Sequence, residues 1–466
     1  MTASATVLAK LNSPRDNASL AAFRIAFGLA MFVASLRFVA QGWIPRFYEE
    51  PRFFFHYAGF EWVRPLPAPW MTVIYVVVAL AALGIALGAA YRASAIVFFL
   101  GFTYTELIDV TRYLNHYYLA SLLALLFVVL PLHRTASVDA WLRPSLRAST
   151  VPAWVLWLLR FQVGLVYFFA ALAKAQPDWL LHGQPLGIWL TARTDTPVIG
   201  RFLDEPLVAL GMSWAGFLYD LTITGWLSWK RSRPFAYAVV LVFHFLTSVF
   251  FNIGMFPVIM TIAATLFFDP SWPRALAARL RSAPRAEVIA NTQEKWHLGA
   301  IGLAVVGCWA LFHVAMPLRT HLYGGDVLWH EQGMRWSWRV MVRAKNGDVI
   351  FRVRSDRTGD RELLVPPSRY LTREQEREMG GQPDLILQVA HRIRDDLRAR
   401  GHQDVEVRAD ALVSLNGRRA RRIIDPGVDL ARVEDGVGYA SWILPGPEEP
   451  PVRLRSHRER LAALGR

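Results

Sequence analysis

Long apolar stretches recur through the first two thirds of this 466-residue chain and constrain its fold more than any other feature. About 20 apolar residues are enough to cross a membrane as a helix. Only 19% of the residues are charged, against roughly 25% in soluble domains, and 54% are hydrophobic. We therefore predict a polytopic α-helical membrane protein with about eight or nine spans. The predicted spans are 20–40, 70–89, 92–108, 117–132, 151–173, 206–228, 234–251, 252–268 and 299–316.

The stretches 234–251 and 252–268 are nearly continuous, with Asn252 and Gly254 at the interruption. This pattern fits two helices joined by a tight corner, or one span followed by a re-entrant segment. The first apolar stretch of the chain contains Arg24 and lacks a small-residue cleavage site. We therefore expect that stretch to remain as a helix and not to be removed as a signal peptide.

Basic residues are unevenly divided between the predicted loops. Loops on the N-terminal side of the membrane carry more lysine and arginine than loops on the other side. Such residues accumulate in cytoplasmic loops, so the N-terminus is predicted to be cytoplasmic and, with an odd number of spans, the C-terminal part extracytoplasmic. The same distribution accounts for the net charge of +14 without a nucleic-acid partner.

The chain changes character after Pro317, where charged residues and short alternating runs replace the apolar stretches. Residues 1–316 are predicted to form the membrane domain, residues 317–446 an extracytoplasmic, β-rich α+β domain, and residues 447–466 a mobile tail. Alternation predicts the strands, and helical periodicity predicts the helices. The predicted strands are 336–344, 347–354 and 404–415, and the predicted helices are 372–380 and 385–401.

Cys308 is the only cysteine, so an intramolecular disulfide and a cysteine-based metal site are both excluded. The chain has no HExxH pair, no glycine-rich phosphate loop and no GxSxG elbow. We therefore expect a site without a metal ion.

Ionisable residues at membrane depth are costly to bury and are therefore functional candidates. Lys174 ends the apolar run 161–173, one turn before Asp178. It is either a lysine that reaches the membrane interface and pairs with Asp178, or a buried amine. Because burial disfavours the charged form of an amine, a buried Lys174 can lose its proton and act as a base.

His116 follows Asn115 at the start of another predicted span. One interpretation is a helix-capping asparagine beside an interfacial histidine in a tyrosine-rich belt. The other is a pair of hydrogen-bonding groups at the mouth of the bundle, on the same predicted side as Lys174. On that second interpretation Lys174 and His116 face outward beneath the C-terminal domain and act on a lipid-soluble co-substrate.

Two further polar residues lie inside predicted spans. His244 is in the middle of 238–251, where a histidine more often makes one interhelical hydrogen bond than performs chemistry. Asp220 is costlier to bury, and Arg24 on another helix is a candidate partner for it.

Six blocks of sequence carry a further signal, and they are 65–94, 109–142, 167–186, 244–257, 327–345 and 414–430. The second block holds Asn115 and His116 with a trailing Ser-Val-Asp, the third holds Lys174, and the fourth holds an Ile-Gly-Met-Phe core. In this order the blocks resemble the vitamin K-dependent gamma-carboxylase family, including its bacterial members with an HTTM membrane domain. The resemblance covers most of the chain.

This resemblance implies an enzyme that uses reduced vitamin K, as phylloquinol or menaquinol, with dioxygen and carbon dioxide as co-substrates. The quinol is converted to its epoxide, and the strong base formed on the way removes a γ-proton from glutamate in a protein or peptide partner. Carbon dioxide then adds to give γ-carboxyglutamate. The implied activity is that of a carboxylase, classed with the carbon–carbon lyases, which also epoxidises the quinol.

The resemblance also implies roles for single residues. Lys174 is the expected base that deprotonates the quinol, and His116, with Asn115 beside it, supports the charged oxygen species or the substrate. For Arg418 and Arg422, two interpretations carry equal weight: they offer positive charge to a substrate carboxylate, or they belong to an ordinary basic strand edge. The expected quinone-binding residues are His244, Asn252, Gly254 and Met255. The expected substrate-binding residues are Asn115, Trp329, Ser337, Trp338, Arg418 and Arg422.

The chain departs from the family on the expected peptide-binding side, where Met334 and Arg343 replace a tyrosine and a histidine. Quinol epoxidation with another acceptor, or with none, is therefore one alternative. A second alternative is a non-catalytic membrane scaffold, which is favoured if Lys174 meets solvent or closes a pair with Asp178. The short outer part and the Ala- and Arg-rich composition favour the bacterial inner membrane as the location.

Overall fold

A bundle of nine apolar helices dominates the computed structural model, which describes residues 3–282, 296–359, 361–453, 459 and 463. Each predicted span coincides with one of these helices to within a few residues. Arg24 near the start of the first helix reaches a carbonyl at the end of the second, and Arg92 at the start of the third reaches one at the end of the fourth, so the helices of each pair run in opposite directions. The nine helices are α2 (Ala18–Ala40), α3 (Trp70–Leu87), α4 (Tyr91–Leu107), α5 (Asn115–Val129), α7 (Ala153–Lys174), α10 (Pro206–Ser228), α11 (Arg233–Phe250), α12 (Phe256–Ala264) and α14 (Ala300–Leu318).

Not all nine helices have the length of a straight membrane span. Among the described residues, six helices are long and apolar enough to cross a membrane, namely α2, α3, α7, α10, α11 and the helix that begins at Ala300. The interruption at 251–255 separates α11 from the short α12. α12 is a helix but is shorter than a membrane span, so a second span and a re-entrant segment both remain predictions for it.

Arginine side chains close the carbonyl ends of several membrane helices. The last carbonyls of a helix have no intrahelical donor, so a guanidinium there satisfies them and stabilises the helix dipole. Arg24 is buried, and its Nη1 donates to the carbonyls of Ile85 at 2.7 Å and Ala86 at 2.9 Å, at the end of α3. The expected Arg24–Asp220 pair is therefore wrong. Arg92, Arg193 and Arg233 donate in the same way at the ends of α5, α11 and α10.

Shorter elements connect and flank the bundle. A small two-stranded sheet joins the start of the chain to the segment before α7. These elements are α1 (Ala3–Leu11), β1 (Pro14–Asp16), α6 (Val138–Leu142), β2 (Thr150–Pro152), α8 (Pro177–Leu180), α9 (Leu186–Thr191) and α13 (Trp272–Leu280).

The C-terminal domain is a four-stranded antiparallel sheet in the order β4 (Leu363–Val365), β3 (Lys345–Arg354), β5 (Glu406–Leu415) and β6 (Arg421–Arg422), with helices packed on it. The central pair runs in register from Lys345 opposite Leu415 to Arg354 opposite Glu406. Buried alternate residues of the sheet pack against the apolar face of α17 (Pro383–Ala399). The elements are α15 (Val327–His330), β3 (Lys345–Arg354), β4 (Leu363–Val365), α16 (Arg373–Met379), α17 (Pro383–Ala399), β5 (Glu406–Leu415) and β6 (Arg421–Arg422).

The strand expected at 336–344 is wrong, since this segment is a series of turns that ends where β3 begins. Trp336, Trp338 and Met341 have φ angles of 61°, 58° and 53°, which a β-strand does not allow. The alternating apolar residues reflect packing onto the bundle, because the Trp338 ring stacks on Tyr118 of α5 with centroids 4.9 Å apart.

Loops of the membrane domain enter the core of the C-terminal domain. Phe55, Tyr57 and Val110 belong to the same apolar cluster as the sheet and α17. The Gln388 amide pairs with the backbone N–H and carbonyl of His56 at 3.1 and 3.0 Å. The domain is therefore seated on the bundle by specific contacts.

The first residues of the predicted mobile tail are packed. Arg418 Nε donates to the carbonyl of Glu449 at 2.6 Å, and Pro451 is buried. Apart from 459 and 463, the rest of that tail lies outside the described residues.

Candidate active site

An apolar cavity of about 210 Å³ lies between α7, α10 and α11, at the end of the bundle that carries the C-terminal domain. Aromatic and aliphatic side chains form nearly all of its wall. Val340 and Met341 of the turn segment before β3 close it from the side of the C-terminal domain. Further lining residues include Val166, Trp179, Trp189, Phe243, Phe250 and Phe256.

The polar end of the cavity is an ion pair between Lys174, the last residue of α7, and Asp220 of α10. Lys174 Nζ lies 2.8 Å from Asp220 Oδ2, and the two side chains are only 7% and 8% exposed. Nζ also lies 3.4 Å from the carbonyls of Ala170 and Val340, and 5.3 Å from the centre of the Trp179 ring. Lys174 is therefore a buried amine, and it neither reaches the interface nor pairs with Asp178.

Asp178 has other partners, which belong to the C-terminal domain. Arg418 donates to its two carboxylate oxygens at 2.6 and 2.7 Å, and Asn416 Nδ2 donates to it at 2.8 Å. The hydrogen bond from Arg418 to Asp178 raises the pKa of the arginine. This bidentate pair fixes the start of the segment after α7 to the outer domain, and it uses the guanidinium that was expected to receive a substrate carboxylate.

A second polar group on the cavity wall is His244 of α11. Its Nε2 lies 3.4 Å from the hydroxyls of Tyr167 and Tyr219, which are themselves 3.4 Å apart. The other ring nitrogen, Nδ1, is buried and has no hydrogen-bond partner among the described residues. The expected interhelical hydrogen bonding of His244 is thus present, with both α7 and α10.

The sequence did not identify Tyr167 and Tyr219 as site residues, and it indicated a different candidate partner, Arg24, for Asp220. A signal for one of them was available, because Tyr167 precedes Lys174 by two helical turns and so shares its face of α7. No comparable signal indicates which face of α10 meets α7.

His116 lies one layer behind the cavity wall and does not line it. Its ring centroid is 6.1 Å from that of Phe256, which in turn is 6.4 Å from that of His244. His116 is buried, and its Nε2 has no hydrogen-bond partner among the described residues. Asn115 does not cap the helix, because Leu114 holds the N-cap position, and its Oδ1 accepts a hydrogen bond from Tyr113 at 3.1 Å.

The corner between α11 and α12 brings backbone close to His116. Gly254 has φ of +58°, and a Cβ at this residue would lie 3.2 Å from His116 Nε2. Ile253 lines the cavity, whereas Asn252 and Gly254 are exposed and Met255 is half-buried against the core. Of the expected quinone-binding residues, only His244 lies on the cavity wall.

The substrate-binding residues expected in the C-terminal domain lie away from the cavity wall. Trp329 is buried and donates through Nε1 to the carbonyl of Leu444 at 2.8 Å. Ser337 and Trp338 are also buried. Arg422 forms a surface ion pair with Asp410 at 2.8 Å.

This geometry suits proton transfer with a small apolar molecule. Apolar walls exclude water, and an ion pair at one end can exchange a proton with an acidic hydroxyl. Within the described parts of the chain, no three His, Cys, Asp or Glu side chains form a group that could hold a metal ion.

The bundle and the α+β domain that packs on it define a polytopic membrane protein with a buried ion pair on the wall of an apolar cavity. Residues 12–272, more than half of the chain, match the model of the HTTM domain. Residues 299–449 match the model of the vitamin K-dependent gamma-carboxylase, lumenal domain. The chain therefore belongs to the vitamin K-dependent gamma-carboxylase family, which confirms the resemblance seen in the sequence. No solved structure matches the chain.

Proposed function

We propose that the protein couples oxygenation of a reduced vitamin K, as phylloquinol or menaquinol, to its epoxide with carboxylation of glutamate in a protein or peptide. The observation that carries the proposal is the Lys174–Asp220 pair at 2.8 Å inside an apolar cavity of the membrane domain. Membership of the gamma-carboxylase family supports the same reaction.

The residues of the cavity fit a flat aromatic diol. Its walls are apolar and rich in rings, which suits a fused ring system. Its polar atoms are few and grouped, with the ion pair in one place and the His244–Tyr167–Tyr219 group in another. The buried, unpaired Nδ1 of His244 is an atom that a ligand oxygen would satisfy.

In this proposal the chain's side chains hold and deprotonate the quinol. When bound, the quinol reacts with dioxygen to supply the strong base that removes the γ-proton of glutamate, and the carbanion takes up carbon dioxide. The Lys174–Asp220 pair accepts the hydroxyl proton as a unit, because an ammonium beside a carboxylate can take up one proton and become an ammonium beside a carboxylic acid. His244 and the two tyrosines orient the ring, and His116, with Asn115 beside it, acts from behind Phe256.

The proposed approach of the acceptor is from the C-terminal domain, where Val340 and Met341 close the cavity. Direct peptide contact by the other expected residues has less support, because their side chains are buried or already paired. These residues are Trp329, Ser337, Trp338, Arg418 and Arg422. This keeps epoxidation with another acceptor, or with none, as a second candidate function.

Labelled bicarbonate separates these functions. The purified protein in lipid nanodiscs receives reduced menaquinone, dioxygen, labelled bicarbonate and a glutamate-rich peptide, with Lys174→Met as the inactive control. Label in the peptide together with epoxide supports the carboxylase. Epoxide without label in the peptide supports the second candidate function. If neither product forms, the result supports the non-catalytic scaffold.

We also propose an orientation and a location. The N-terminus is cytoplasmic and the domain that begins near residue 317 is extracytoplasmic, which agrees with the lumenal domain matched by residues 299–449. The proposed boundaries remain 1–316, 317–446 and 447–466, and the proposed location is the bacterial inner membrane.

A further inference from the structure

The size of the cavity restricts which part of a quinol it can hold. A cavity of about 150 Å³ holds one benzene molecule. The cavity beside Lys174 has about 210 Å³, which accommodates a fused two-ring head but leaves no room for a long chain. A quinol with a prenyl tail therefore needs an opening through which the tail leaves.

The exposure of the lining residues locates this opening. Ala215 of α10 and Leu246 of α11 both line the cavity and are both exposed, Leu246 to 40%. Residues of α7 that line it, such as Val166 and Ala170, are buried. The cavity is thus open between α10 and α11 and closed towards α7.

The two helices carry large apolar side chains on the outer surface around this opening. In water such a surface would be costly, but on a membrane helix it meets lipid tails. The opening therefore leads sideways into the bilayer and not into water. These exposed residues are Trp214 and Leu218 of α10 and Val242, Phe245 and Val249 of α11.

We propose that Ala215 and Leu246 flank a lateral portal that selects a prenyl-tailed quinol and keeps its tail in the bilayer while the ring lies beside Lys174. This inference rests on the proposed function and deepens it by assigning the recognition of the tail. The co-substrate then loads from the membrane, and tail length contributes to binding without contributing to the chemistry.

Narrowing the portal tests this inference. Ala215→Trp and Leu246→Trp each place a bulky ring at one side of the portal. Val242→Trp is the matched control, because Val242 is 59% exposed on the same helix as Leu246 and does not line the cavity. Epoxide formation is measured with two quinols, one with four prenyl units and one with no tail. The two portal variants should raise KM for the tailed quinol at least tenfold more than they raise KM for the tail-less quinol, and Val242→Trp should leave both KM values as in the wild type.

Equal KM values for the tailed quinol in wild type and both portal variants would overturn the portal. If the wild type forms no epoxide from either quinol, the proposed function fails, and the portal is then tested by equilibrium retention of the tritiated tailed quinone. Reduced retention in the portal variants, but not in Val242→Trp, supports the portal. Equal retention in all four proteins contradicts it.

Discussion

At the scale of single residues, Asp220 determines what Lys174 can do. The Asp220 carboxylate at 2.8 Å makes the amine and the carboxylate one coupled pair. The pair also keeps the amine on the cavity wall, 3.4 Å from the Val340 carbonyl. The position of the Lys174 amine therefore depends on Asp220.

Removing the charge of Asp220 should slow epoxide formation while leaving the protein folded. Asp220→Asn keeps the shape but loses a hydrogen bond between charged groups worth about 1.5–3 kcal/mol, so kcat should fall about ten- to a hundredfold. Asp220→Glu should recover part of the activity. A rate of epoxide formation in Asp220→Asn equal to that of the wild type would contradict a role for Asp220 in the proton transfer.

Gly254 should tolerate no side chain, because its Cβ would meet His116 and its φ of +58° is strained for other residues. Gly254→Ala is expected to destabilise the fold by about 1–2 kcal/mol and to slow epoxide formation by displacing His116. Gly225→Ala is the matched control, since a Cβ at this residue of α10 meets nothing within 4 Å. Chemical unfolding and initial rates measure both effects. Full activity in Gly254→Ala would contradict a role for His116 beside the corner.

The sequence predicted which ionisable residues matter better than it predicted their partners. Lys174, His116 and His244 stand out because each interrupts an apolar run, and the structure buries all three. Their partners depend on how each helix is rotated about its axis, and an apolar helix with lipid on one side gives little periodic signal for that rotation. Asp178, near Lys174 in sequence, was therefore favoured over Asp220, which is 46 residues away.

At the scale of helices and strands, arginines that close helix ends explain how a membrane bundle tolerates buried charge. Their donors meet carbonyls that lack intrahelical partners, so the charge is distributed over several hydrogen bonds and no carboxylate is needed. Arg24 alone contacts Ile85, Ala86 and Ala136. These hydrogen bonds connect α2 to the end of α3 and to the loop between α5 and α6.

Replacing Arg24 should destabilise the bundle without touching the cavity. Arg24→Met leaves the α3 carbonyls without a donor, so the free energy of unfolding should fall by about 1.5–3 kcal/mol. Arg37→Met is the matched control on α2, because Arg37 is exposed and contacts the Trp43 ring. Unfolding in mixed detergent and SDS micelles compares the two variants. Equal stability of Arg24→Met and wild type would rule out this role.

Most segments whose apolar residues repeat with the period of a helix or a strand were predicted correctly. The segment 336–344 has the period of a strand but forms turns in the structure. The strand 406–415 and helix 383–399 alternate or repeat as their geometry requires, because one face of each is buried against the other. The segment 336–344 alternates equally well, but its tryptophans serve contacts with α5 that only the folded chain brings near. Alternation therefore reports burial of alternate residues and does not by itself report a strand.

At the scale of the whole molecule, the C-terminal domain and the bundle share one structural unit. The apolar cluster of the domain includes loop residues Phe55 and Val110, and Asp178 and Arg418 join the segment after α7 to the sheet. Val340 and Met341 complete the cavity wall from the same domain. The cavity therefore exists only when both parts are folded together.

Single cysteines test the proposed orientation. In a Cys308→Ser background, Arg361→Cys places a thiol on the exposed surface of the C-terminal domain, and Lys230→Cys places one at the opposite end of the bundle. A membrane-impermeant maleimide on intact cells should label Arg361→Cys and leave Lys230→Cys unlabelled until the cells are lysed. The reverse pattern would place the C-terminal domain in the cytoplasm.

The most direct test of the central claim is epoxide formation from a reduced prenyl naphthoquinone by the purified protein in nanodiscs with dioxygen. The wild type should form epoxide, and Lys174→Met should be slower by about 10²–10⁴-fold, the contribution expected of a positioned base. Lys230→Met, which removes an exposed lysine far from the cavity, should match the wild type. Epoxide formed equally fast by folded Lys174→Met would contradict the assignment of this cavity as the site of quinol chemistry.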